Sequence, residues 1–312
     1  MKIRQDLIIR CLKQLKMNKF NRYVSILSLF GALSLSGQNK EVNIEPIKVK
    51  DNIYMLKGQG GNIGLFIGED GAFMIDDQFA RLTPKILKAI KSITDKPVVY
   101  LINTHWHGDH TGGNENMSKE GAVIVSHENV RKRMSVENVV RGKKKPASPK
   151  EALPVITFSK DMMVHFNGED VLVSHVHNAH TDGDAHVYFT SSNVLHMGDT
   201  YFQGKFPFID LSSGGSIDGY IAAIDKALIM ADDKTVIIPG HRGLSNRKEL
   251  LGYKEMLVTL RDRVQVEIEK GKTLKEVKED KSITKEYAEE YGDWFISAEG
   301  IRETIYKSLK EK

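Results

Sequence analysis

Cysteine is almost missing from this chain. Its 312 residues include one, Cys11, in an N-terminal stretch unlike the rest. From residue 38 onward no thiol is present, which excludes a disulfide framework, a cysteine nucleophile and a thiolate metal ligand. Long apolar runs are missing as well. The run 23–35, "YVSILSLFGALSL", is too short to cross a bilayer as an ordinary helix. A surplus of charge is lacking too, despite the formal +4. Residues 1–37 hold seven of the 45 Lys/Arg and one of the 41 Asp/Glu, leaving 38 basic and 40 acidic residues beyond them. The basic balance belongs to the N-terminal stretch, so it is no argument for a nucleic-acid partner.

That stretch reads as a secretory signal. From Met17 it has a basic start (Lys19, Arg22), the apolar run, and small residues at Ser34, Ser36 and Gly37. Cleavage is expected near Gln38, giving a periplasmic or secreted product without stable membrane insertion. Residues 1–16 read as an extension upstream of the true start.

What the chain has in quantity is short strands followed by helices. "NIYMLKG", "NIGLFIG" and "AFMID" open the domain, and a helix begins near Thr83 with Pro84 in its first turn. Strand 97–103, a His-rich loop, strand "AVIVSH" and a helix over about 128–140 come next. "RGKKKPASPKEALP" reads as a solvated loop, or alternatively as a flap. Strands "VITFS", "MMVHF", "DVLVSHV", "AHVYFT" and "NVLHMGD" lead to a helix over about 216–230, strand "TVIIP" and a long helix over about 248–270. Two strand-rich halves, each ending in helices, suit two sheets packed face to face with helices outside. The charged, helical end, with Trp294, Phe295, Ile301, Ile305 and Leu309, reads as an appendage.

The chemistry is concentrated in histidine. In "INTHWHGDHTGGN" the donors His105, His107, Asp109 and His110 follow an apolar strand at once. One zinc ion would use three of them at most, so four in one loop suggest two metals. Further donors lie at strand ends: His175, His177, His180 and His186 in "HVHNAHTDGDAH", His196 and Asp199 in "NVLHMGDTYF", and His241 in "TVIIPGHRG". Strand ends converging on one face are where an α/β protein builds a cleft. His127, His165 and His175 read as hydrogen-bonded core residues, and His177, His186 and His196 lean the same way. Ser212, Ser213 and Ser216 read as loop and helix-cap residues.

"HWHGDH" resembles the H-x-H-x-D-H signature of the metallo-β-lactamase superfamily. "AHTDGD", "GDTYF" and "PGHRG" resemble its later ligand motifs, and "FMIDDQF" its first. The resemblance covers about residues 45–250. It implies a four-layer αββα sandwich of two mixed sheets over 38–250, with a helical extension over 251–312. It implies two zinc ions per chain, one on His105, His107 and His180, the other on Asp109, His110 and His241, with Asp199 bridging and Asp76 behind them. The commonest true lactamases of the family have Cys where Asp199 stands and lack the His at 110, and a bridging Asp beside the D-H pair is more typical of glyoxalase II and lactonases. The expected activity is hydrolysis of a small amide or ester by a zinc-bound hydroxide that Asp109 holds. β-Lactams are the first substrate class, and lactones or thioesters the alternative. Tyr201 and Lys205 are candidate oxyanion or substrate contacts. A noncatalytic metal-binding protein and an iron oxidoreductase are the other readings of the same ligands.

Overall fold

Side chains alternate in polarity of environment along each strand, and that alternation sets the layers. In β4 (Gly71–Ile75) and β5 (Val98–Asn103), Phe73, Ile75 and Ile102 face one core, while Met74 and Leu101 face another. The structure is a computed structural model that describes residues 41–140 and 143–310. The expected signal peptide over residues 1–37 lies outside the described residues.

The first sheet has the order β1-β2-β3-β4-β5-β6-β9. It starts as an antiparallel meander of β1 (Glu45–Lys50), β2 (Ile53–Lys57), β3 (Ile63–Gly68) and β4, then runs parallel through β5, β6 (Val123–His127) and β9 (Ile156–Phe158). Between them, β7 (Asn138–Val140) and β8 (Lys143–Lys145) form a separate hairpin. The second sheet runs β10 (Asp161–Phe166), β11 (Glu169–His175), β12 (Ala185–Phe189), β13 (Val194–Phe202), β14 (Val236–His241) and β15 (Ser245–Asn246), with β13 and β14 parallel.

The inner faces meet in a core where Phe73 touches Phe166 and Phe189 at 6.2 Å between centroids, and Phe66 meets Phe189 at 5.3 Å. Helix α1 (Thr83–Lys91), with Pro84 in its first turn, lays Ile86, Ala89 and Ile90 on the outside of the first sheet. Two short helices, α2 (Gly108–Thr111) and α3 (Asn114–Lys119), follow β5, and α4 (Glu128–Met134) follows β6. Helices α5 (Ile217–Met230) and α6 (Arg247–Glu269) cover the second sheet through Tyr220, Ile224, Tyr253 and Leu257. The result is the expected αββα sandwich.

The chain closes with α7 (Leu274–Glu279), α8 (Ala288–Tyr291) and α9 (Ala298–Lys310). Residue 250 lies inside α6, and Ile301 and Ile305 are buried with the α5 and α6 core, so the described residues from 42 onward form one compact unit. Among the described residues no helix is long and apolar enough to cross a membrane.

Two local expectations fail. The helix expected to reach residue 140 stops at Met134. The Ser135 hydroxyl adds a bond to the Arg131 carbonyl at 2.7 Å, and Asn138 Nδ2 bonds the Val136 carbonyl at 2.9 Å, so side chains compete for the backbone groups that a longer helix would use. The following β-branched residues then pair as a hairpin. His165 is not a core residue either. It stands exposed on β10, with Nδ1 2.6 Å from Asp170 Oδ1, and His177, expected to lean the same way, is exposed too.

Candidate metal centre

The donors gather where strands of both sheets end. His105, His107, Asp109 and His110 follow β5, His180 follows β11, Asp199 is within β13, and His241 closes β14. Two positions in these strands require glycine. Gly198 has φ +51°, and a Cβ there would lie 2.7 Å from the Thr104 side chain. A Cβ on Gly240 would lie 2.1 Å from Asp199 Oδ1. β13 and β14 can therefore approach closely enough to bring Asp199 and His241 together.

The seven side chains form two groups, His105–His107–His180–Asp199 and Asp109–His110–His241, each with its donor atoms within 4.8 Å of one another. Asp199 faces both. Its Oδ1 is 3.1 Å from His110 Nε2 and 3.3 Å from His241 Nε2. Its Oδ2 is 3.7 Å from His180 Nε2 and 3.9 Å from His105 Nε2. Asp109 Oδ2 lies 3.4 Å from His241 Nε2.

Hydrogen bonds behind the cluster settle which nitrogens face inward. Asp76 Oδ2 accepts from His110 Nδ1 at 2.7 Å and from the Thr104 hydroxyl at 2.7 Å. That hydroxyl, its proton committed, accepts from His105 Nδ1 at 3.1 Å. His180 Nδ1 donates to the Phe208 carbonyl at 2.6 Å, and His107 Nε2 to Asp210 Oδ2 at 3.0 Å. His105, His107 and His180 thus each turn an unprotonated nitrogen into the cleft, and His110 turns its Nε2 toward Asp199.

Inward-facing lone pairs are costly unless a cation meets them. His107 Nδ1 and His180 Nε2 sit 2.8 Å apart with no proton left over for the contact. His105 Nε2, His110 Nε2 and Asp199 Oδ1 are buried without a hydrogen-bond partner. The residues present therefore fit metal ions, and nitrogen and carboxylate donors suit zinc. Burial, with His110 and His180 beside it, holds His105 well below the usual imidazole pKa. Burial and His107 lower His180 to about 4. Burial alone would raise Asp199, but His241 and His110 overturn this and keep it ionised. Around His110 burial opposes the cation, yet Asp199, Asp76 and Asp109 raise its pKa, so proton and metal would compete for one nitrogen.

All seven expected donors are brought together, with Asp76 bonded to His110 directly and to His105 through Thr104. Tyr201 and Lys205 are not at the cleft. The Tyr201 hydroxyl bonds Ser245 Oγ at 2.8 Å under α6, because its side chain leaves β13 on the helix face. Lys205 Nζ bonds the Glu290 carbonyl at 3.0 Å and pairs with Asp293, tying down the segment after α8. His196 is a positioning residue: its Nε2 donates to the Asn62 carbonyl at 3.0 Å. His127 and His175 stack at 3.7 Å away from the donors.

Sequence reasoning missed Asp210, whose carboxylate also accepts from Ser212 and Ser213 at 2.5 Å. These two serines thus hold the partner of His107, beyond a loop or cap role. The signal was present in "FIDLSS", an acid with two hydroxyls close behind. Lys145, in the segment expected to be a solvated loop or alternatively a flap, lines the cavity over the donors together with Phe79, Phe202, Phe208, Trp294 and Phe295.

Residues 56–241 match the metallo-beta-lactamase superfamily. A hydroxyacylglutathione hydrolase of Polaromonas sp. is 27% identical over 150 residues, 48% of this chain and 50% of its own length. The beta-lactamase-like protein 2 homolog of Caenorhabditis elegans is 32% identical over 89 residues, 25% of this chain and 30% of its own. The chain thus spans half or less of the curated relatives it matches. Among solved structures, a metallo-beta-lactamase from Pontibacter korlensis aligns with TM-score 0.59 at 19% identity, covering 69% of this chain and 99% of its own. The sec-alkylsulfatase Pisa1 from Pseudomonas sp. aligns with TM-score 0.63 at 16% identity, covering 85% and 50%. Both likenesses are of fold.

Proposed function

The chain belongs to the metallo-beta-lactamase superfamily, and from that premise we propose that it is an exported hydrolase of small carbonyl compounds that works with two zinc ions. The observation that carries this reading is Asp199, one buried carboxylate with an oxygen toward each histidine group. A negative group at that position offsets the repulsion between two dications, which Coulomb's law makes large at short range. When bound, the zinc ions supply Lewis acidity and bring the pKa of water toward neutrality.

The chain's own residues do the rest. Thr104, Asp76, Asp210 and the Phe208 carbonyl fix the ring orientations. Asp109 is 29% exposed at the cavity floor, the most accessible carboxylate of the set. It can accept a hydrogen bond from an attacking water and hold its proton as the carbonyl is attacked.

β-Lactams are the first substrate class to try. A second reading, thioester or lactone hydrolysis, has its own support. Asp199 stands where many lactamases carry Cys, His110 completes the second group, and a hydroxyacylglutathione hydrolase is among the relatives. Metal analysis of the purified protein, followed by a hydrolysis screen over the three classes, tests the proposal. The expected result is about two zinc ions per chain and loss of turnover on chelation. Full activity with one metal or none would sink the paired site, and iron with redox turnover would replace the reading. Export is tested by the mass of the secreted protein, with a start near Gln38 expected.

A further inference from the structure

The cavity over the donors holds about 370 Å³, and its lining combines two chemistries. Aromatic rings form a continuous wall. Phe202 stacks on His241 at 5.2 Å between centroids, Trp294 lies 5.9 Å from Phe202 and 5.5 Å from His241, and Phe208 stacks on His107 at 5.8 Å. Phe295 links the two halves, 6.0 Å from Trp294 and 5.7 Å from Phe208. Lys145, from the β7–β8 hairpin, lines the same cavity beside Trp106 and Gly108. Its Nζ is 5.0 Å from the Trp106 ring, and a methyl on Gly108 would lie 3.9 Å from it. Nζ also donates to the Trp106 carbonyl at 3.5 Å, and Asp109 is the carboxylate whose charge acts on it.

The wall is held in place from outside the metal loops. Lys205 fastens Glu290 and Asp293, and the Phe206 amide donates to the Tyr291 carbonyl at 3.0 Å. The chain then turns Trp294 into the cavity while 40% of its surface stays exposed. An ordered indole over a polar floor gives an apolar group somewhere to be buried. A lysine lining the same cavity gives an anion a partner.

We propose that this site selects amphiphilic anions, substrates with a bulky apolar group on the Trp294 side of the scissile bond and a carboxylate on the Lys145 side. The hydrolytic part of the proposal rests on the function given above; the binding part does not. Burying one aromatic ring is worth about tenfold or more in affinity, and a charge-assisted contact is of similar size.

The test uses four thioesters, the S-phenylacetyl and S-acetyl derivatives of mercaptoacetate and of mercaptoacetamide, with released thiol measured. S-Phenylacetyl mercaptoacetate should have the highest kcat/KM. In Trp294→Ala the phenylacetyl-to-acetyl ratio should fall about tenfold, while Trp294→Phe keeps most of it. In Lys145→Met the acid-to-amide ratio should fall to a similar extent. The same protein is titrated calorimetrically with 4-phenylbutyrate, butyrate and 4-phenylbutyramide. 4-Phenylbutyrate should bind most tightly, with the same two losses in the two variants. If no thioester is cleaved but these binding preferences hold, the thioester form of the hydrolytic reading fails and the site assignment stands. Ratios and binding preferences unchanged in folded Trp294→Ala and Lys145→Met would overturn the assignment.

Discussion

Asp199 is the side chain on which both donor groups depend. Asp199→Asn keeps its shape, loses its charge and puts an NH₂ donor where an acceptor is needed. If the site holds two zinc ions as proposed, one should be lost and turnover should fall by more than about 100-fold, while the melting temperature of the chelated protein stays close to that of the parent. Full zinc content in this variant, with loss in His196→Ala, would move the ligand role to His196. Asp210→Asn is the milder case. It leaves His107 in place without its carboxylate partner, and zinc affinity should fall about 10- to 100-fold. A further prediction concerns pH. The Thr200 hydroxyl donates to the Met197 carbonyl at 2.8 Å, so it accepts from His186 Nε2, and Nδ1 is left buried with no partner. Burial, with Lys226 nearby, pushes His186 down to about 3. Unfolded, the ring titrates near 6.5. Above that pH neither state is protonated and the stability is full. Between about 6.5 and 3 the unfolded chain takes the proton first, so stability falls as pH falls. Melting temperatures of chelated protein from pH 7.5 to 4.5 should show this decline, with a shallower one in His186→Gln. The donors were legible because several titratable groups in one loop need a reason. Thr104 and Asp210 were not, because a threonine or an aspartate near a turn is common, and only the fold shows what it holds.

At the scale of elements, β13 and β14 carry the tightest constraint. Gly240→Ala would push a methyl to within 2.1 Å of Asp199 Oδ1 and 2.6 Å of Gly198 backbone atoms. The strands must then separate, at a cost of about 1–3 kcal/mol, and zinc retention should fall with stability. Denaturant unfolding and elemental analysis together check this. The closing helices give a second test. Ile301 of α9 is fully buried in the core that α5 and α6 share. Ile301→Ala should cost about 2–5 kcal/mol and shift one cooperative transition. Two separate transitions, with the metal-bearing part unaffected, would show an independent appendage. Most strands were readable from alternation and β-branching, and the long helices from their apolar faces. The β7–β8 hairpin was hidden because three lysines in a row look solvated whatever their backbone does. The short helices α2 and α3 were hidden because the donor residues filling them obscure any helical period. The boundary placed at residue 250 split a helix because charged faces look alike on an appendage and on an outer layer.

For the molecule as a whole, the two sheets meet at the donors. His105, His107, Asp109 and His110 come from the first sheet, and His180, Asp199 and His241 from the second, and each metal group draws on both. Metal should therefore stabilise the entire sandwich. At a concentration about 1,000-fold above Kd the gain is roughly 4 kcal/mol, or about ten degrees in melting temperature for a domain of this size. Calorimetry with and without chelator checks this, and an unchanged melting temperature would argue against tight binding by the native state. The same arrangement bears on biosynthesis. Donors appear in chain order, four in one loop, then His180, then Asp199, and last His241. A growing chain that has not reached β14 holds no complete second group, and one whose sheets have not docked holds no complete first group. Retention of both ions would thus act as proofreading: a molecule that keeps them has been synthesised through residue 241 and has brought its two halves together.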